Sequence, residues 1–342
     1  MKTKSKLKFA IAGCGSIAQR HAKHINTYAE LVAVCDVVLD KALLLADQYN
    51  VKAFASINEL LQLKNLDVVC ICTPNGLHAM HAVAALQAGF HVLVEKPMAL
   101  TVADCNLMIA AAERANKKLF VVKQNRFNPP VVAVKEAIDN GVLGKIFSIQ
   151  LTCFWNRDKA YYQSDWKGTK ALDGGILFTQ FSHFIDLLYW MIGDVKHAQC
   201  IASNFAHEDI IEFEDAGIVM LEFNSGAIGT INYTINSCEK NMEGSLTIIA
   251  ENGTVKIGGE YLNQLEYQSV KNFQFSQMPV SEDANDYGTY KGSMSNHHKV
   301  YEQLIQSLET NQTTNAFEAM KTVEIINKIH QSAKTIHQHD SL

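Results

Sequence analysis

The chain has 342 residues, 48% hydrophobic and 19% charged, which is material for a full core and, at this length, for two globular domains. Its 30 Lys and Arg against 35 Asp and Glu leave a net charge of −5, which excludes a general basic field for nucleic acid or an anionic membrane; a small molecule is the expected partner. Polar residues interrupt every apolar run before the roughly 20 residues of a membrane span, and the basic residues 1–8 lead into a strand pattern instead of a cleavage site, so a soluble, cytoplasmic protein is expected.

Short β-branched runs at residues 7–12, 31–35, 67–72, 91–94 and 119–122 alternate with helical stretches, a grammar that predicts a parallel sheet. Ser56 with Glu59 and Thr101 with Asp104 read as capping boxes, and Gly89 closes a helix after Ala88. After Asn128-Pro129-Pro130 the pattern changes. A helix over 131–140 is followed by strand-rich stretches at 146–154, 210–223, 227–235 and 245–257, with a strongly apolar helix over 175–192 among them. Amphipathic helices over 298–308 and 316–333 close the chain. The expected fold class is α/β: a doubly wound parallel sheet over 1–125, then an α+β substrate-binding and oligomerisation domain over 126–342, whose closing helices pack back on the first domain. Eight cysteines are scattered without C-x-x-C spacing and read as reduced core residues. Cys70 and Cys72 share one face of a strand and have no second ligand pair in the sequence, so core packing is expected there and no metal.

Gly13-Cys14-Gly15-Ser16-Ile17-Ala18 follows the first strand and opens a helix with Ile17, His21, Ile25 and Tyr28 on one face, the G-x-G-x-x-A form of the dinucleotide fingerprint. Gly13 permits the tight turn, Gly15 lets backbone approach a pyrophosphate, and the helix N-terminus at Ser16 and Ile17 supplies free N–H groups and positive dipole. Asp36 ends the second strand, where a carboxylate accepts from ribose hydroxyls and repels the 2′-phosphate of NADP. NAD is therefore the expected cofactor.

Further on stand Thr73-Pro74-Asn75 with His78, Glu95-Lys96-Pro97, and Gln124-Asn125-Arg126-Phe127-Asn128-Pro129, each just past a strand of the first sheet. Ligands of open α/β sheets bind outside the carboxyl ends of the strands, where all three motifs fall. Together the motifs resemble those of the glucose-fructose oxidoreductase, inositol dehydrogenase and MocA family, over nearly the whole chain. The resemblance implies a Rossmann domain followed by a domain with an open, mostly antiparallel sheet, and assembly into a homodimer or homotetramer. It implies cofactor contacts from Gly13, Gly15, Ser16, Ile17, Asp36, Thr73, Pro74, Asn75, His78, Glu95, Lys96 and Gln124. In the second domain Leu172-Asp173-Gly174-Gly175 leads to Thr179, His183 and Asp186, similar to the family's glycine-rich segment and D-x-x-x-H motif, with Thr179 in place of the Asp. Trp166-Lys167-Gly168-Thr169 and Gln180 resemble the branch that oxidises UDP-N-acetylglucosaminuronate at its 3-hydroxyl, some members of which regenerate NAD with 2-oxoglutarate.

The expected activity is NAD(H)-dependent hydride transfer at a hydroxyl-bearing carbon of a sugar or nucleotide sugar. Lys96 and His183 are the catalytic candidates. Either can serve as base; His183 is favoured for that role, with Lys96 holding developing negative charge on oxygen. Arg126, Asn128, Tyr161, Trp166, Lys167 and Thr179 are expected on the substrate side. His297 and His298 read as capped surface positions and stay outside the site. The alternatives are a non-catalytic NAD-binding regulator and a reductase of a non-sugar carbonyl.

Overall fold

The computed structural model describes residues 6–279, 284–286 and 291–335, and residues 1–5 of the basic N-terminal stretch lie outside it. The chain divides into two compact units, Met1–Val122 with His297–Met320, and Lys123–Asn296 with Lys321–Leu342. The first crossing thus falls slightly before the predicted boundary at 125, and the chain returns to the first unit for one late segment. No helix among the described residues is long and apolar enough to cross a membrane.

The first unit alternates β1 (Lys8–Ala12), α1 (Ser16–Tyr28), β2 (Glu30–Cys35), α2 (Leu39–Tyr49), β3 (Lys52–Phe54), α3 (Ile57–Leu60), β4 (Val68–Ile71), α4 (His78–Gln87), β5 (His91–Val94), α5 (Val102–Ala115) and β6 (Leu119–Val121). The strands form one parallel sheet in the order β3-β2-β1-β4-β5-β6, so the direction of winding reverses between β1 and β4. Strand β3 escaped the sequence pattern because three residues carry no period. The capping boxes form: the Ser56 hydroxyl accepts from Glu59 N–H at 3.3 Å, and Thr101 both accepts from Asp104 N–H and donates to its carboxylate.

The second unit opens with α6 (Pro129–Asp139), β7 (Ile146–Phe154), α7 (Ile176–Thr179) and α8 (Ser182–Ile192), and continues through β8 (Val195–Ser203), β9 (Ala216–Phe223), β10 (Ile228–Thr234), β11 (Glu243–Ala250), β12 (Gly253–Gly258) and β13 (Gln264–Val270). A small hairpin of β14 (Ala284–Asp286) and β15 (Lys291–Met294) precedes α9 (His297–Thr310) of the first unit, and α10 (Ala316–Ser332) and β16 (Ala333–Thr335) end the described chain. The large sheet is mixed and mostly antiparallel, in the order β13-β12-β11-β7-β10-β9-β8-β16, with β7–β10 and β8–β16 the parallel pairs.

Three expectations need correction here. Of residues 210–223 only Ala216–Phe223 is strand; Ile210 and Ile211 instead bond back to the His207 carbonyl in a turn. The run 245–257 is a hairpin, because Glu251 and Asn252 turn the chain between β11 and β12. The apolar stretch 175–192 is two helices. Phe181 N–H reaches back five residues to the Ile176 carbonyl, and its φ of −108° and ψ of 0° break the helical repeat, so Thr179 and His183 do not share one continuous helix face.

Asp186, in α8, anchors the second unit. Its carboxylate is 2% exposed and accepts from Arg126 Nε (2.7 Å) and Nη2 (2.8 Å), from Lys123 Nζ (2.9 Å) and from the Thr322 hydroxyl (3.0 Å). Burial alone would raise its pKa; the charge of Arg126 and Lys123 outweighs burial and holds the carboxyl far below the usual carboxylate range. That contribution is present above the unfolded-state pKa and fades as pH falls through the folded one. Asp186→Asn strips two buried cations of their counter-charge and is expected to cost about 3 to 5 kcal/mol. Urea unfolding at neutral pH checks this, and a loss no larger than that of an exposed Asp→Asn control would contradict it.

Candidate active site

In the first unit the cofactor motifs meet at the strand ends. Gly13 has φ +94°, and a Cβ there would lie 2.6 Å from the Cys72 carbonyl oxygen, so the turn requires glycine on two counts. A Cβ on Gly15 would meet nothing within 4 Å, and no side chain caps α1, which leaves open space in front of the helix N-terminus. Asp36 accepts from Cys14 N–H (2.7 Å) and Val38 N–H (2.8 Å), which fixes its carboxylate beside the glycine turn with lone pairs left for further donors. An open approach to the helix N-terminus, with a fixed carboxylate beside it, fits a dinucleotide.

His78 joins two of the other motifs. Its ring lies between the Pro97 carbonyl (Nδ1, 2.7 Å) and the Thr73 carbonyl (Nε2, 2.9 Å), tying the turn that carries Lys96 to the turn after β4. Glu95 is more deeply committed than a cofactor contact would be. Its Oε1 lies 2.8 Å from His21 Nε2 and 3.5 Å from His297 Nε2, and its Oε2 accepts the Lys96 N–H at 3.0 Å. Burial would raise this carboxyl; its hydrogen bond with His21 and the nearby His297 ring outweigh burial and hold it well below the usual range. Glu95 therefore sets the backbone at Lys96. His21, read as an apolar helix position, is in fact the fully buried partner of Glu95, and His297 is likewise buried, not a surface cap.

In the second unit His183 is 4% exposed, and its Nε2 lies 3.2 Å from Gln124 Nε2 and 3.3 Å from Ser293 Oγ. Gln124, expected at the cofactor, thus stands beside the histidine, where its amide donates to the ring nitrogen and to Ser293 (2.9 Å). The ring thus has an amide and a hydroxyl at hydrogen-bond distance of Nε2, a polar setting in which a histidine can exchange a proton.

Thr179 donates its hydroxyl to the carboxylate of Asp173, which is fully buried and also accepts Gly168 N–H at 2.8 Å. A carboxylate thus stands next to the position where the helix itself lacks one. Lys167 sits 3.6 Å over the Tyr161 ring, and burial brings its pKa down to about 8. Gln180 donates to the Tyr161 hydroxyl at 3.1 Å, and Trp166 lies at the same turn, its carbonyl accepting from Thr169 (2.8 Å). Arg157, missed in the sequence, lies 5.1 Å from the Tyr161 ring and 5.0 Å from that of Trp155. No motif marks Arg157 or Ser293.

Two residues expected on the substrate side also hold the second unit together. Asn128 is fully buried, donates to the carbonyls of Tyr261 and Leu262 and accepts from Asn296, so its amide holds three loops together. Arg126 belongs to the Asp186 ion cluster and stacks 5.1 Å from the Trp190 ring.

Two family models match: the oxidoreductase family with an NAD-binding Rossmann fold over residues 7–123, and the GFO/IDH/MocA C-terminal domain over residues 131–256. The chain belongs to the GFO/IDH/MocA oxidoreductase family. Its first unit is the NAD-binding Rossmann domain of that family. The WlbA dehydrogenase of Chromobacterium violaceum, solved with NADH and UDP-GlcNAcA, is 32% identical with a TM-score of 0.87, covering 96% of this chain and 94% of that one. The WlbA dehydrogenase of Bordetella pertussis, also solved with NADH and UDP-GlcNAcA, is 33% identical with a TM-score of 0.84 and 96% coverage of both chains. Myo-inositol 2-dehydrogenase of Thermotoga maritima is 30% identical over 232 residues, 66% of this chain and 68% of the relative.

The two glycines of this GFO/IDH/MocA member separate turn from ligand approach. Gly13→Ala should prevent the turn and destabilise the unit, whereas Gly15→Ala should leave the melting temperature near wild type and weaken NADH binding. Differential scanning fluorimetry with and without NADH distinguishes the two, and equal melting temperatures for both variants would refute the assignment.

Proposed function

We propose that this chain oxidises a hydroxyl of an anionic sugar or nucleotide sugar with NAD, and that the substrate is a UDP-sugar acid attacked at its 3-hydroxyl. The supporting observation is likeness over 96% of the chain to a dehydrogenase solved with NADH and UDP-GlcNAcA. Bound NAD supplies the hydride acceptor. Gly13, Gly15, Ser16 and Ile17 would hold its pyrophosphate and Asp36 its ribose, with Thr73, Pro74 and Asn75 alongside. His183, beside Gln124 and Ser293, removes the hydroxyl proton. Lys96, its backbone set by Glu95, holds the negative charge that develops on that oxygen. Lys167 and Arg157, grouped around Tyr161, meet the carboxylate or phosphate of the substrate. Asp173 fixes the Thr179 hydroxyl and is the positioning residue on the substrate side.

The deciding experiment follows absorbance of NADH on mixing the protein and NAD with UDP-sugar acids, UDP-sugars and free polyols. NADH formation is expected with a UDP-sugar acid. Lys96→Ala should lower turnover about 100-fold, which corresponds to roughly 3 kcal/mol of transition-state stabilisation, with NADH affinity little changed. His183→Ala should cost about 100- to 10,000-fold. NADH binding with no oxidation of any of these sugars would overturn the assignment in favour of a regulator or a carbonyl reductase.

We further propose self-association through the open face of the large sheet. On β9 the inward residues Val219, Leu221 and Phe223 are buried, yet the outward Ile218 and Met220 are 56% and 57% exposed, where a solvated sheet face carries polar residues. With Ile201 of β8 they line a shallow concavity of about 920 Å³. A face of this kind pairs with its own copy about a twofold axis. Light scattering should give a dimer or tetramer for the wild type and a smaller species for Ile218→Asp/Met220→Asp; a monomeric wild type would rule the arrangement out.

A further inference from the structure

Next to the glycine turn of the first unit lies a group of side chains with no task in hydride transfer. His21 Nδ1 is 3.4 Å from Cys70 Sγ, Cys70 Sγ is 3.7 Å from Cys72 Sγ, and the three atoms all lie within 4.8 Å of one another. Tetrahedral zinc, with sulfur at about 2.3 Å and imidazole nitrogen at about 2.0 Å, places such ligand atoms about 3.5 to 3.8 Å apart. Two of the three edges are therefore already at ligand spacing.

We propose that His21, Cys70 and Cys72 form a buried binding site for a zinc ion. Two thiolates and an imidazole are a donor set that soft and borderline metals prefer over oxygen-loving ones. The outer groups match as well. Glu95 accepts from His21 Nε2 at 2.8 Å, the carboxylate–histidine–metal arrangement that orients the ring and leaves Nδ1 to the ion. The Tyr301 hydroxyl, 3.8 Å from Cys70 Sγ and 2.7 Å from His21 Nδ1, donates to the Cys70 thiolate once the ion occupies Nδ1, and water completes the tetrahedron. His297 with Glu95 and the other ring nitrogen of His21 is a poorer set, since Nε2 and Oε1 are already at hydrogen-bond separation.

Packing alone does not account for the group. Thiols that merely fill volume need no imidazole aligned on them, and His21, Cys70, Cys72 and Tyr301 are all buried. Binding displaces the Nδ1 proton of His21 and the remaining thiol protons, so affinity rises with pH. An ion here ties α1 to the end of β4 and, through Glu95, to the turn that carries Lys96.

The test is titration of the full-length protein, reduced and freed of metal, with Co²⁺. One equivalent should produce thiolate-to-cobalt charge-transfer absorption and the intense visible bands of tetrahedral cobalt, both abolished by Zn²⁺. Zinc-edge X-ray absorption of the wild-type protein should then count two sulfur ligands per ion, a reading that needs no variant to fold. Cys70→Ala and Cys72→Ala should each lose the charge-transfer band, and Cys14→Ala should keep it. Absence of tetrahedral bands in the wild type, a sulfur-free zinc shell, or bands that survive both substitutions would overturn the site.

Discussion

A carboxylate taken out of water stays ionised only if donors replace the water, and each unit of this protein gathers distant side chains around such a group. Glu95 draws His21 from α1 and His297 from α9 onto the end of β5, residues far apart in the chain, and accepts the Lys96 N–H with its second oxygen. Asp186 does the same in the second unit for Lys123, Arg126 and Thr322. Both carboxylates are held far below their ordinary range by these partners, so neither cluster tolerates the loss of a member without stranding buried charge. Two neighbours share this anchoring: Lys96 follows Glu95 directly, and His183 lies one helical turn from Asp186.

The candidate site residues lie on turns set on rigid elements. Gly13, Asp36, Thr73 and Lys96 all sit where strands of a parallel sheet end, and His78 braces two of those turns by bridging backbone carbonyls. In the second unit a break between helices α7 and α8 separates the two candidates: Thr179 faces Asp173, while His183 meets Gln124 and Ser293. The replacement of a helix carboxylate by Thr179 thus does not remove negative charge from the neighbourhood; the charge arrives from the loop at Asp173.

Much of this was legible in the order of residues, because local rules act over a few positions. Strand and helix alternation, the glycine fingerprint with Asp36, and both capping boxes depend on neighbours in sequence, and each has the form expected. Failures occurred where a long-range partner overrode a local pattern. His21 sits on the apolar face of α1, so periodicity reads it as core, and only the arrival of Glu95 and His297 gives it a polar role. Nothing local to Asn128 and Arg126 announces that Tyr261, Leu262 and Asp186 supply their hydrogen-bond partners. Short strands such as β3 carry too few residues to show a period at all.

The sequence by itself therefore determined the fold class, the NAD-binding turn and the family, since these rest on glycine conformations, capping and hydrophobic period within short windows. Tertiary structure alone decided which polar side chains find buried partners. It placed Gln124 beside His183, gave Arg126 and Asn128 buried partners, and brought His21 against Cys70 and Cys72. The physical reason is that a buried donor or acceptor is defined by what lies within about 3 Å of it, and in a folded chain that partner is commonly a hundred residues away.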